Sequence, residues 1–120
     1  MRTGKGKRDQ AMHANGTVAD AIAAVLKREG VEIVFGYPRN QILEAAARID
    51  IRTVIVRQER TGLHMADAVS RMTKGEKMGV FVMQQGPGAE NAFGGVAQAF
   101  ADSVPVLVMR GGDGVLRGFV

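Results

Sequence analysis

One acidic residue, Glu59, stands where an apolar strand-type run ends and a helix-type pattern begins. Residues 54–56 (VIV) lead into it, and a helix is predicted soon after it, from Thr61 to Thr73. In sheets that carry helices on their faces, ligands bind at the carboxyl ends of the strands, so a carboxylate here is expected to face a crevice. There it could exchange a proton with a bound ligand. An acidic residue in a helix's first turn also complements the helix dipole, and that simpler interpretation stays open.

A second candidate for ligand contact is the turn Gly86-Pro87-Gly88. Its glycines permit close backbone approach and positive φ, and the helix that follows offers free amide N–H groups. The turn lacks the Lys and Ser/Thr of a phosphate-binding P-loop and the spacing of a dinucleotide-binding motif. An ordinary strand-to-helix turn uses the same residues, so ligand contact and a purely structural role both remain open.

Residues that could bind a metal are few. The chain has no cysteine and two histidines, His13 and His64, and neither has a second ligand at a recognisable spacing. His64 falls inside a predicted helix, where packing or hydrogen bonding is the commoner role. Residues 112–114 (GDG) superficially match a metal and diphosphate motif, but the six residues that follow leave no room for the rest of it. We therefore predict no metal site in this chain.

The composition is that of one globular domain. The chain has 120 residues, is 46% hydrophobic and 23% charged, and has no apolar run long enough for a membrane span. Of the net charge of +4, the first nine residues contribute +3 (four basic, one acidic), leaving +1 for the other 111. We predict a disordered basic tail over residues 1–14, a domain over 15–112 and a tail over 113–120. The lack of cysteine suits a cytoplasmic location.

The elements that must position these residues alternate along the chain. Strands are predicted over residues 32–36, 52–56, 78–83 and 104–109, the last of them as a central strand because it is the most hydrophobic. One helix is predicted before the first strand and one between each pair of consecutive strands. Thr17 with Asp20 caps the first helix, and Asn40 caps the second. This order favours right-handed crossovers and an α/β fold, a three-layer sandwich with a parallel sheet flanked by helices.

Helical spacing also predicts which face of each helix is buried. The predicted buried residues are, helix by helix, Val18, Ala21, Ile22, Val25 and Leu26; Ile42, Leu43, Ala46 and Ala47; Met65, Ala66, Val69 and Met72; and Ala92, Phe93, Val96, Ala97 and Phe100. With this arrangement, the loops that contain Pro38, Glu59 and Gly86 each follow a strand. They are expected to lie along one edge of the sheet and to line one crevice.

Five segments, in order and spacing, resemble the N-terminal pyrimidine-binding domain of thiamine diphosphate (thiamine pyrophosphate, TPP) enzymes, in particular the acetolactate synthase-like group. The resemblance runs from about Thr17 to Gly111. The segments are residues 34–38 (VFGYP), 56–59 (VRQE), 64–67 (HMAD), 86–91 (GPGAEN) and 101–105 (ADSVP).

The resemblance implies that Glu59 is the catalytic glutamate, which hydrogen-bonds ring nitrogen N1′ of the cofactor's aminopyrimidine and exchanges a proton with it. It implies cofactor contacts from Glu59 and from five further residues, Pro38, Gly86, Pro87, Gly88 and Asn91. The cofactor would carry out the chemistry on a 2-oxo acid. In this family the diphosphate is held with Mg²⁺ by a separate domain, which this chain lacks, so we expect half a site, no turnover by the chain alone, and a homo-oligomer.

Several loop residues depart from the family pattern. Arg39-Asn40 stands where two glycines are usual, Gln58 where a histidine is usual, Gln84-Gln85 where Thr-Ser is common, and residues 110–112 (RGG) where Thr-Gly-Gln is common. Acetolactate synthesis, a related lyase or decarboxylase, and a non-catalytic fragment that keeps the fold for dimerisation therefore remain alternatives. Nucleic-acid binding through the basic tail is a further alternative, which predicts strong salt dependence; the nearly neutral body argues against it.

Overall fold

Strands and helices alternate throughout the part of the chain that the computed structural model describes, residues 16–38 and 40–110. Each helix is followed by a strand, as predicted. The elements are α1 Val18–Arg28, β1 Ile33–Gly36, α2 Gln41–Arg48, β2 Arg52–Ile55, α3 Glu59–Met72, β3 Gly79–Met83, α4 Pro87–Ala101 and β4 Val106–Arg110. The predicted tails, residues 1–14 and 113–120, lie outside the described residues.

The four strands form one parallel sheet in the order β2-β1-β3-β4. In the centre of the sheet, Phe35 of β1 lies opposite Val54 of β2 on one side and Phe81 of β3 on the other. Parallel pairing follows from the helices, because each one carries the chain back across a face of the sheet. The carboxyl ends of all four strands therefore share one edge, as the sequence predicted.

Helices cover both faces of the sheet. One core lies between the sheet and α1 and α2, and includes Ala23, Ala46 and Val80. The other lies between the sheet and α3 and α4, and includes Leu63 and Phe81. Consecutive residues of β3 point to opposite cores, as strand geometry requires. The predicted three-layer α/β sandwich is confirmed.

Helix starts follow the predicted caps. Thr17 and Asp20 form a reciprocal capping box at α1, in which each side chain accepts a hydrogen bond from the other's backbone N–H. Asn40 Oδ1 accepts from the backbone N–H of Ile42 at 2.9 Å and so caps α2. The Asp20 carboxylate also pairs with Arg48 at 2.6 Å, which joins α1 to the end of α2.

The predicted buried faces of the helices are partly wrong. Helix α4 buries Gly88, Ala92, Gly95 and Ala99, whereas Ala97 is exposed and Phe93 and Phe100 are exposed by 70% and 87%. The reason is the close approach of α3: a Cβ atom added to Gly95 would lie 2.8 Å from Leu63 Cδ2, so no side chain of α4 fits where Leu63 packs against position 95.

The other helices also bury a face that differs in part from the predicted one. Val18, Ala21 and Val25 of α1, Ala47 of α2, and Met65 and Met72 of α3 were predicted as buried and are exposed instead. Their places in the core are taken by Ala19, Ala23, Ala45, Gly62, Leu63, Asp67 and Ser70.

Strand β4 is not central in the described sheet, contrary to its hydrophobicity. It lies at the edge beyond β3, and its residues 106–109 are half-buried. The strand with neighbours on both sides and the most complete burial is β3. None of the described helices combines the length and apolar character that crossing a membrane requires.

Candidate functional site

Glu59 is the first residue of α3, and three residues, 56–58, connect it to the end of β2. Its side chain is only 6% exposed. Burial is possible because Gly62, one turn later, lets the helix lie close to the sheet: a Cβ there would be 2.5 Å from Phe81 Cε2 and 2.9 Å from Val56 Cγ2. The glycine at position 62 therefore lets the first turn of α3 pack closely against the sheet, and this packing buries Glu59.

The partner of Glu59 is Asn91 of α4. Asn91 Nδ2 donates a hydrogen bond to Glu59 Oε2 at 3.0 Å, across 32 residues of sequence. Oε1 accepts no hydrogen bond from any residue within the described ranges. One carboxylate oxygen is thus fixed by a neutral amide, and the other is open to a ligand.

The turn before α4 completes this arrangement. Gly86 has φ 61° and ψ −109°, a conformation that side chains disfavour, and Pro87 begins the helix. Gly88 is buried, and a Cβ placed on it would lie 3.6 Å from Glu59 Oε1. Glycine at this position therefore leaves the space beside Oε1 free of a side chain.

Pro38 lies at the same edge but is tied to β3 instead of α3. Its carbonyl accepts a hydrogen bond from Gln84 Nε2 at 2.6 Å, and Asn40 Nδ2 donates to the carbonyl of Met83 at 3.4 Å. The turn after β1 is therefore fixed against the end of β3. Asn40 and Gln84 are two of the residues that depart from the family pattern. The sequence did not predict their contacts, and its one indication of them was an amide side chain in each of the loops after β1 and β3.

A second buried carboxylate, Asp67 of α3, was missed by the sequence reasoning. It is 2% exposed and pairs with Arg71, four residues on, at 2.7 Å. Arg71 also pairs with Asp102 at 2.7 Å, which joins the ends of α3 and α4. Asp67 thus has a cation that compensates its burial, whereas Glu59 has none among the residues described. This contrast separates a structural carboxylate from a functional candidate.

Two further polar residues of α3, His64 and Ser70, lie within the fold away from solvent to different degrees. Ser70 is buried, donates to the carbonyl of Pro105 and accepts from the backbone N–H of Gly79. His64 is half-buried within the helix. The described ranges hold no cluster of three or more His, Cys, Asp or Glu side chains arranged for a metal ion.

A sequence model of one family, described as thiamine pyrophosphate enzyme, N-terminal TPP binding domain, matches residues 16–115. The chain belongs to this family. The resemblance seen in the five sequence segments is confirmed, and so is its acetolactate synthase-like character, because two curated relatives are acetolactate synthases.

The large subunit of acetolactate synthase from Haemophilus influenzae is 39% identical over 97 residues, which cover 78% of this chain and 17% of the relative. Acetolactate synthase isozyme 3 large subunit from Escherichia coli is 40% identical over 97 residues, with the same coverage. The chain therefore spans about a sixth of the length of these relatives.

A solved structure supports the fold. The crystal structure of benzoylformate decarboxylase from Polynucleobacter necessarius superimposes with a TM-score of 0.66 and 23% sequence identity, over 78% of this chain and 18% of that one. At this identity, the likeness concerns the fold alone. The same parallel α/β unit thus occurs in a much longer decarboxylase.

Proposed function

We propose that this TPP-family domain binds the aminopyrimidine ring of thiamine diphosphate, with Glu59 Oε1 facing ring nitrogen N1′. The observation that carries the proposal is the burial of Glu59 with no cation paired to it among the described residues, with Oε2 held by Asn91 and Oε1 left open beside Gly88. A carboxylate oxygen is a suitable partner for a ring nitrogen that gains and loses a proton. Oε1 and the space that Gly88 leaves beside it are the features that support ring binding.

In this proposal, five residues of the domain each have a defined role at the ring. Glu59 holds or releases a proton at Oε1, and the buried surroundings keep competing water away from it. Gly88 leaves room for the ring, while Gly86 and Pro87 fix the start of α4 beside it. Pro38 borders the crevice from the β1 side. When bound, the cofactor supplies the carbon chemistry on a 2-oxo acid substrate.

The complete active site needs more than this domain. We propose that a diphosphate-binding domain, on another chain or another segment, holds the diphosphate with Mg²⁺, and that the assembly is a homo-oligomer. The relatives favour an acetolactate synthase-like enzyme, with a related lyase or decarboxylase as the alternative. We expect no turnover from residues 1–120 alone. The cytoplasmic location stays a prediction.

Titration with thiamine, monitored by ¹H–¹⁵N spectra of the labelled chain, tests ring binding. We expect shifts at the backbone amides of Gly88, Asn91 and residues next to Glu59, and weaker shifts with oxythiamine, which carries an oxo group in place of the 4′-amino group. The Glu59→Gln variant, checked for an unchanged spectrum elsewhere, should lose the effect. Equal shifts in wild type and Glu59→Gln would contradict the proposal.

A further inference from the structure

We propose that Asn91 is a positioning residue that acts through Glu59: it holds Oε2, so that Oε1 is the oxygen presented to a ligand. This inference rests on the proposed function. It differs from the direct cofactor contact that the family resemblance implied for Asn91.

The argument begins with the geometry of α4. Gly88 and Asn91 are three residues apart in the helix and so lie on the same face, which is turned towards Glu59. From this face, Asn91 supplies an amide donor 3.0 Å from Oε2, while Gly88 supplies no side chain, and its hypothetical Cβ lies 3.6 Å from Oε1. One helix face thus ties one oxygen and leaves the other free.

Burial decides which partner holds the Asn91 side chain. A buried polar group that is left without a hydrogen-bond partner costs free energy, so the buried Glu59 carboxyl group depends on the donors within its reach. Within the described residues, Asn91 is the sole side-chain donor to the Glu59 carboxylate. Its Nδ2 group therefore occupies Oε2 in the absence of a ligand and leaves Oε1 as the oxygen that a ligand can reach.

Affinity for thiamine in a double-mutant cycle tests the role. The variants are Glu59→Gln, Asn91→Ala and the two combined, with Gln98→Ala as a matched control because Gln98 lies two turns further along α4 and is exposed. We expect Asn91→Ala to weaken thiamine binding by about threefold or more, and to add little to the loss in Glu59→Gln, because contacting residues couple. Gln98→Ala should bind as wild type.

Each other outcome has a defined meaning. Unchanged binding by Asn91→Ala, with a loss in Glu59→Gln, overturns the positioning role and leaves the proposed function standing. If Asn91→Ala weakens thiamine binding by the same factor in the wild-type chain and in Glu59→Gln, the positioning role is overturned as well. Asn91 would then act independently of Glu59, by contacting the ring directly. No thiamine binding by the wild-type chain overturns the proposed function and this role with it.

A spectroscopic signature separates positioning from a general effect on stability. The side-chain NH₂ signals of Asn91, assigned by their loss in Asn91→Ala, should move in Glu59→Gln without ligand, while those of Gln98 stay in place. Asn91→Gln, which keeps the amide donor, should recover part of the affinity. Unmoved Asn91 signals in Glu59→Gln would contradict the bond on which the inference rests.

Discussion

At the scale of single residues, the two buried carboxylates show what sequence can and cannot predict. Glu59 lies between a strand end and a helix start, as the sequence predicted, and the end of a parallel strand is a recognisable place for a ligand. Its contact with a ligand stays a prediction. Its bond to Asn91 was not foreseen, since it joins residues 32 positions apart and depends on how closely α3 and α4 approach. Asp67 was missed because a charged residue at a core position is read as exposed unless its partner, Arg71, is considered with it.

A prediction on pH dependence concerns Asp20. The hydrogen bond from Arg48, and then the backbone bond from Thr17, lower the pKa of Asp20 to about 2 from 3.8. A pKa lowered by folding means that this group stabilises the fold above about pH 4 and that the contribution is lost as the pH falls towards 2. We expect Asp20→Asn to lose stability at pH 6 and to show a smaller decline in urea midpoint between pH 4 and 2 than wild type.

The exposed carboxylate Glu29, which has no ion pair among the described contacts, provides the control. Glu29→Gln should keep the wild-type decline in urea midpoint between pH 4 and 2. Parallel pH profiles for wild type and Asp20→Asn would rule out the assigned contribution.

At the scale of elements, the order of strands and helices followed from the sequence, but the choice of buried helix faces did not. Hydrophobic spacing placed Phe93 and Phe100 in the core, whereas α4 packs through Gly95 and other small residues. Glycine and alanine add little to a hydrophobic pattern, yet they alone permit the closest helix approach. A pattern of apolar residues therefore predicts that a helix is amphipathic more reliably than it predicts which side is covered.

The glycine at position 62 should be required for the depth of Glu59. We expect Gly62→Ala to lower the free energy of unfolding by about 1–3 kcal/mol, because the new methyl group meets Phe81 and Val56 in a filled core. It should also weaken thiamine binding by shifting the first turn of α3.

Gly94→Ala is the matched control for this change, since nothing lies within 4 Å of its added Cβ. It should raise stability by about 0.5–1 kcal/mol, as expected for a helical glycine replaced by alanine. Urea unfolding of both variants gives the comparison, and similar effects at the two positions would contradict the packing described for α3.

At the scale of the whole molecule, the domain has apolar surface that the described residues do not cover. The outer face of α4 carries Phe93 and Phe100, seven residues apart and largely exposed. An exposed apolar patch of this kind commonly marks a surface that contacts another protein. The sequence alone hid the feature, because it assigned both side chains to the core.

We predict that this face of α4 mediates association. The double variant Phe93→Ser/Phe100→Ser should lower concentration-dependent association of the chain in sedimentation velocity, because the apolar area that drives it is removed. Val18→Ser/Val25→Ser, with the same seven-residue spacing on exposed positions of α1, should leave association unchanged. Equal effects of the two double variants would show that association is not specific to α4.

The most direct test of the central claim is the affinity of the chain for thiamine with and without the Glu59 carboxylate. Because a hydrogen bond to a charged group contributes about 1.5–3 kcal/mol, we expect Glu59→Gln to weaken binding by about tenfold or more. Glu76→Gln, an exposed glutamate before β3 and therefore at the opposite edge of the sheet, should bind as wild type. Equal affinity of wild type and Glu59→Gln would contradict the account.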